Sequence, residues 1–313
     1  MKKLLILLST FVLATAIPLA AQTTAEANAS KIIGMTNAVV DLYNEYIPHL
    51  KKASEGLDRA VENIDILAEN IHRSAHGWNC ANIIVRSDYK ETFEKAVKAA
   101  PAFPEKTKIQ AGIKYIAANN DRLSNHCKAL NEYFTKKGYM EDADFEKFQP
   151  LYDSLDAAYD DMARAWKTTI DLASEAGDRS ELILLKKSPI AQFIIPMKTD
   201  LMAASKILEM FREDEIDNTA IQNAITTLKK DIDKNKVLTG KNVANLEKYS
   251  SKPNYIGYYE SMEEFAEYAT KLEELLNLSY QTDNEQRRQD NISTTYSMLQ
   301  YKYNSLVENY NIM

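Results

Sequence analysis

Apolar residues recur at alternating steps of four and three along one early segment, and this spacing limits the available folds more than any other feature. The positions are Val39, Tyr43, Tyr46, Leu50, Ala53, Leu57, Ala60, Ile64, Leu67 and Ile71. A heptad pattern of this kind places its members on one seam of an α-helix, which then needs partner helices to cover it. We predict a helix from about Ser30 to Ser74, kinked at Pro48 because proline removes a backbone donor.

Similar seams recur over most of the remaining chain. They predict further helices over about 109–138, 142–177, 188–211, 219–234, 258–276 and 292–310, with 237–256 as loop. Glycine is sparse, with eight in 313 residues, which also favours helix over sheet. We therefore predict an all-α fold: an elongated bundle of about six to eight helices with coiled-coil-like heptad packing. Residues 22–313 form one all-helical domain, or two sub-bundles, with an irregular stretch at about 76–105.

The first residues have the pattern of a cleaved secretory signal peptide. Lys2 and Lys3 precede an apolar run that reaches Leu19, and the small residues Ala20 and Ala21 follow. We predict a signal peptide over residues 1–21; cleavage after Ala16 and an uncleaved anchor helix are the alternatives. The two cysteines lie far from this site, so we expect no lipid anchor. No second stop-transfer segment follows the apolar run, so we expect no membrane span after cleavage. The expected location is periplasmic or secreted.

Charge argues against nucleic acid as a partner. The formal net charge of −7 becomes −9 once Lys2 and Lys3 are removed, since residues 1–21 contain no acidic residue. A chain with this balance and no stripe of basic residues is repelled by phosphate backbones. We therefore expect no nucleic-acid partner.

Two histidines are candidate metal ligands. His72, His76 and Cys80 are four residues apart, and histidines at this spacing on a helix can bind one transition metal ion. The alternative is a polar helix end with two exposed histidines. Glu69 and His72 form one Glu-x-x-His element, but a di-iron bundle needs a second, and the sequence contains none.

Cys80 and Cys127 are the only cysteines in the chain. A chain that enters an oxidising compartment is expected to pair two such thiols. The alternative is a buried free thiol at Cys127, because this residue lies on the seam of its helix. A disulfide would require the segment after Gly77 to fold back along that helix.

The sequence contains none of the standard catalytic motifs. It has no G-x-S-x-G elbow, phosphate-binding glycine loop, H-E-x-x-H or paired C-x-x-C. The eighteen tyrosines are expected to pack in the core with their hydroxyls bonded at its rim, rather than to form stacking platforms for ligands. The acidic run Glu213–Glu215 is expected to be a solvated turn. We predict no enzymatic activity and no cofactor.

Three short segments resemble a known family. They are Thr36–Ile47 near the start, Tyr133–Asp142 in the middle and Tyr303–Asn311 at the end. Together they resemble the YiiG-like family of uncharacterised bacterial envelope proteins. The resemblance implies an all-helical envelope protein of unknown activity, and many relatives look like lipoproteins. This chain lacks the lipid-bearing cysteine of those relatives.

The resulting hypothesis is a non-enzymatic helical bundle that contacts envelope proteins or a second copy of itself. The alternative is a periplasmic carrier of a ligand or metal, which would use the region of His72 and His76 or a cleft between bundle halves. A third candidate is an envelope hydrolase of unrecognised type.

Overall fold

The chain consists of helices joined by short connections. The computed structural model describes residues 23–80, 86–142, 144–213, 215–238, 243–249, 251–277 and 285–313. The predicted signal peptide, residues 1–21, lies outside these ranges. The helices within them are α1 Thr24–Glu69, α2 Ser87–Ala99, α3 Lys106–Thr135, α4 Phe148–Leu185, α5 Ala191–Met210, α6 Asn218–Asn235, α7 Val243–Lys248, α8 Lys252–Asn277 and α9 Glu285–Asn311. A 3-10 turn at Gly138–Glu141 follows α3.

The predicted all-α fold class is confirmed, since the described ranges contain helices and no strand. They contain nine α-helices, one above the predicted range of about six to eight. The irregular stretch predicted for 76–105 is partly wrong, because α2 occupies its second half. Likewise, the loop predicted for 237–256 contains the short helix α7 and the first turn of α8.

The described residues divide into two compact units. The first extends to Ser180 and the second begins at Glu181. The boundary therefore lies within α4, and not in the stretch 76–105 where the sequence is least periodic.

The side chains of the α1 seam form much of the core of the first unit. Every predicted seam position is buried except Ile64 and Ile71, which are half-buried. Burial of each large side chain contributes about 1.5–3 kcal/mol relative to exposure. Pro48 lies inside the helix, as predicted. The coiled-coil form of packing stays a prediction.

Thr23 and Glu26 form a capping box at the start of α1. The Thr23 hydroxyl accepts from the Glu26 backbone N–H, and the Glu26 carboxylate accepts from the Thr23 N–H at 2.8 Å. These bonds satisfy two backbone donors that a helix otherwise leaves open.

Aromatic and close backbone contacts join α4 to its neighbours in the first unit. The Trp166 ring lies 5.3 Å from each of the rings of Tyr43 and Tyr46. Gly112 of α3 faces Thr169 of α4 so closely that a Cβ on the glycine would lie 2.1 Å from the Thr169 hydroxyl oxygen. Only a glycine allows this approach.

The second unit packs α5, α6, α8 and α9 around a shared core. The seams predicted for α5 and α8 supply much of it, including Met197, Ala204, Met262 and Phe265. α6 begins at Asn218, where the Asp217 carboxylate accepts from the Ala220 N–H at 2.9 Å. An acidic N-cap of this kind stabilises a helix start.

Candidate functional site

Three of the four predicted site residues, His72, His76 and Cys80, lie on one irregular segment. We call residues 70–80 the strap: they follow α1 and contain no helix or strand. The strap runs antiparallel to α3, because a Cβ on Gly77 would meet Thr135, Trp78 bonds to Asn131, and Cys80 is joined to Cys127. This is the fold-back that a disulfide was expected to require.

A buried asparagine of α1 fixes the strap backbone. Asn63 is 1% exposed, and its amide nitrogen donates to the His76 carbonyl at 2.8 Å. The His76 N–H donates in turn to the Asn63 amide oxygen at 2.9 Å. The side-chain nitrogen and oxygen of Asn63 both form hydrogen bonds with the backbone of one strap residue. Asn63 therefore satisfies its own buried polar atoms and holds the strap at a fixed register.

Trp78 fills the space between α1 and α3. A Cβ on Gly56 would lie 2.6 Å from the indole nitrogen, so the glycine admits the ring against α1. The same nitrogen donates to Cys127 Sγ at 3.4 Å, and the indole ring lies 5.8 Å from Phe134. Trp78 thus covers an apolar patch and lies beside the disulfide.

Cys80 and Cys127 form a disulfide in the structure. Of the two alternatives that the sequence left open, the structure contains the bonded form. Cys127 is 3% exposed and lies on the α3 seam, whereas Cys80 is half-buried. Closing a loop across 47 positions stabilises the fold by about 4 kcal/mol through the entropy of the unfolded chain.

His72 and His76 do not lie on a helix. α1 ends at Glu69, earlier than the predicted Ser74, so the four-residue spacing does not place the two side chains on one helical face. Both are exposed. Across the described ranges, no group of three or more His, Cys, Asp or Glu side chains is arranged to bind a metal ion.

The second unit contains a tyrosine network that sequence reasoning missed. Asp200 of α5 is 1% exposed, and its Oδ2 accepts from the Tyr259 hydroxyl and from the Asn235 amide, each at 2.9 Å. Tyr255 donates to the Asn235 carbonyl, and Tyr258 donates to the carbonyl of Met197. The three tyrosines of α8 therefore connect it to α5 and α6.

A buried ion pair lies in the same unit. Lys198 Nζ is 2.7 Å from Glu181 Oε2, and Tyr310 donates to Glu181 Oε1 at 2.6 Å. The Lys198 ammonium also lies 5.5 Å from the centre of the Tyr310 ring. Each charge therefore has an opposite charge or a polar partner, which is what burial of a charge requires.

Burial keeps the tyrosine hydroxyls protonated. It raises the pKa of Tyr255 to about 12. It also raises the pKa of Tyr259 far above its ordinary value, and the nearby Asp200 carboxylate raises it further. A protonated phenol that donates to a buried carboxylate forms a structural hydrogen bond and is a poor nucleophile.

The remaining sequence candidates have ordinary positions. Tyr303 and Tyr310 pack in the core, and the hydroxyl of Tyr296 accepts from Arg212 Nε at 2.6 Å. Glu213 and Glu215 are exposed, and Asp214 lies outside the described residues. No helix in the described part of the chain combines the length and apolarity that a membrane crossing needs.

Comparisons with known proteins support the fold alone. No protein-family profile matches the chain, and no curated protein matches it. Its structure is similar to the crystal structure of an alpha-helical protein from Bacteroides fragilis. The sequence identity is 16%, the similarity covers 89% of this chain and 99% of that one, and the TM-score is 0.50. At this identity the likeness establishes a shared helical fold. Membership of the YiiG-like family stays a prediction.

Proposed function

We propose that this chain is an exported protein of the cell envelope that works through contacts with other proteins and catalyses no reaction. The Cys80–Cys127 disulfide is the observation that carries the proposal, because such bonds persist in oxidising compartments and are rare in the cytosol. The signal-like pattern of residues 1–21 and the resemblance to the YiiG-like envelope family support it independently.

The buried polar groups support a non-catalytic role. The Asp200 carboxylate accepts hydrogen bonds from neighbouring side chains of its own unit, and the Glu181 carboxylate forms an ion pair with Lys198. Catalytic acids and bases need access to a substrate and a pKa near the working pH. Asp200 is enclosed by Tyr259 and Asn235, so it is better suited to joining helices.

Export is tested by fractionation of cells that express the full chain. We expect the protein outside the cytoplasm, with a mass that corresponds to removal of residues 1–21. The matched control is Leu7→Arg, which places a charge in the apolar run and should leave the chain unprocessed in the cytoplasm. An unprocessed wild-type chain in the cytoplasm would contradict the proposal.

Contacts are tested by photo-crosslinking from exposed aromatic positions in native envelopes. Tyr301 is 61% exposed and Tyr115 is 44% exposed, one in each unit, so a photoreactive phenylalanine analogue replaces each conservatively. We expect an adduct with one recurring envelope protein or with a second copy of the chain. The control position is Lys51, whose side chain is 73% exposed. Identical adducts from all three positions, or none, would count against a specific contact.

A further inference from the structure

The two sulfurs of the disulfide have different surroundings, and this difference gives the bond a direction for exchange. We propose that Cys80–Cys127 is a reversible latch: a dithiol reductant attacks Cys80, Cys127 leaves, and the strap is released from α1 and α3. The proposal does not depend on the proposed function, because it concerns only the chemistry of this bond.

Accessibility identifies the attacked sulfur. Cys80 lies at the end of the strap and is half-buried, whereas Cys127 lies within α3 and is 3% exposed. An incoming thiolate must reach the sulfur that it attacks. It therefore reaches Cys80 more readily than Cys127.

A hydrogen bond identifies the leaving group. The Trp78 indole N–H donates to Cys127 Sγ at 3.4 Å. A donor at this position stabilises negative charge on the departing sulfur, and a better-stabilised thiolate leaves faster. Trp78 is thus placed to assist departure of Cys127 as well as to cover it.

The exchange balances in two steps. The reductant thiolate forms a bond with Cys80 Sγ while the Cys80–Cys127 bond breaks, and Cys127 leaves as a thiolate that takes up a proton. The second thiol of the reductant then attacks the reductant sulfur that is bonded to Cys80. Cys80 leaves as a thiolate and takes up a proton. The reductant becomes a disulfide, and the protein gains two electrons and two protons.

Release of the strap requires only a few other contacts to break. Apart from the disulfide, the described contacts of the strap include the two bonds between Asn63 and His76, the bond from the Trp78 backbone N–H to Asn131 at 3.0 Å, and the packing of Ile71, Ala75 and Trp78 on the core. The α1 and α3 seams pack on other helices, so both helices persist. Reduction therefore uncovers the apolar surface around Gly56 and Phe134 without unfolding the unit.

The direction of attack is tested with glutathione as a monothiol reductant. The folded protein is treated, quenched in acid, unfolded and alkylated, and its cysteine peptides are analysed by mass spectrometry. We expect glutathione on Cys80 and the alkyl group on Cys127. Glutathione predominantly on Cys127, or a bond that is reduced only after unfolding, would overturn the proposal.

The role of the indole is tested with Trp78→Phe, which keeps a ring but removes the N–H. We expect dithiothreitol to release free thiols about fivefold more slowly from the folded variant, the factor for one hydrogen bond of ordinary strength. In denaturant the two proteins should react at the same rate, because the contact is absent there. Equal rates in the folded state would overturn assistance by Trp78.

Strap release is read out by Trp78 fluorescence. Trp78 and Trp166 are the only tryptophans, so Trp166→Phe leaves a single reporter beside the disulfide. On reduction we expect its emission to brighten and shift to longer wavelength while circular dichroism retains the helical signal. Hydrogen exchange of the His76 and Trp78 amides in the wild-type chain gives the same readout without a substitution. Unchanged emission and unchanged exchange after full reduction would overturn the latch.

Discussion

Single close contacts set the packing of the first unit, and Gly112 is the tightest of them. Gly112→Ala places a methyl group 2.1 Å from the Thr169 hydroxyl oxygen, so either the Thr169 side chain must rotate and lose its bond to the Ala165 carbonyl, or α3 and α4 must separate. We expect a loss of about 1–3 kcal/mol in the free energy of unfolding, measured by urea titration, as in other overpacked cores.

Two matched variants make the Gly112 experiment specific. Gly34→Ala lies in α1, where the added Cβ would meet no atom within 4 Å beyond the neighbouring backbone of its own helix, and it should stabilise the protein by up to about 1 kcal/mol. Adding Thr169→Ala to Gly112→Ala should recover part of the loss, because it removes the atom that is met first. An additive effect of the two substitutions would show that the contact is not the cause.

Two half-buried histidines should make stability depend on pH. Burial lowers the pKa of His49 below its ordinary 6.5, as does the charge of Lys52, and burial with Arg122 lowers the pKa of His126. Below pH 6.5 the unfolded chain therefore binds more protons than the folded chain. The stabilisation is fully present above that pH and is lost as the pH falls toward the folded values.

The pH experiment compares thermal unfolding at about pH 8 and about pH 5.5. We expect a lower Tm at the lower pH, and a smaller drop in the double variant His49→Asn, His126→Asn. The two single variants provide the comparison, since each should remove only its own share of the drop. Hydrogen bonds from Arg164 and Arg122 lower the pKa of Asp161, so this carboxylate stays charged over the range and does not contribute. A drop of equal size in all variants would contradict the assignment.

At the scale of elements, helix positions followed from the sequence better than helix ends did. The seam at Val39, Leu50 and Leu67 is buried as predicted, since heptad spacing reports one face directly. Gly177 was expected to end α4, but the helix continues to Leu185. A Cβ on Gly177 would lie 3.0 Å from the Thr36 hydroxyl oxygen, so this glycine serves a close contact and not a helix end.

The elements that sequence reasoning missed bury little or depend on distant partners. α2 is short and buries Phe93 alone among its residues, so its sequence contains too few large apolar residues to reveal a seam. Pro253 falls in the segment predicted as loop, yet it lies in the first turn of α8, where the backbone N–H that proline lacks would have no partner within the helix. The partnership of Asp200 with Tyr259 spans 59 positions, and no local pattern indicates which residues will meet at that distance.

The start of α6 gives a prediction at this scale. Asp217→Ala removes the acceptor of the Ala220 N–H and should lower the free energy of unfolding by about 1 kcal/mol in urea titration. Asp217→Asn retains an acceptor at the cap and should cost much less. Equal losses in the two variants would assign the effect to charge instead of capping.

At the scale of the whole molecule, two compact units predict two separate responses to local damage. Lys198→Met leaves the buried Glu181 carboxylate without its cation, and breaking a buried pair costs about 3–5 kcal/mol. We expect faster amide hydrogen exchange in α5, α8 and α9, measured by mass spectrometry, with α1 and α3 unchanged. Gly112→Ala should do the reverse. Acceleration throughout the chain in both variants would show that the units unfold as one.

The Thr23–Glu26 box has a consequence for maturation. Both of its residues lie after Ala21, so removal of a leader at that position would leave the first helix with its own terminal bonds intact. A peptidase could then act early or late without changing where the helix begins. If residues 1–21 are removed, the order of processing and folding would therefore not change the start of α1.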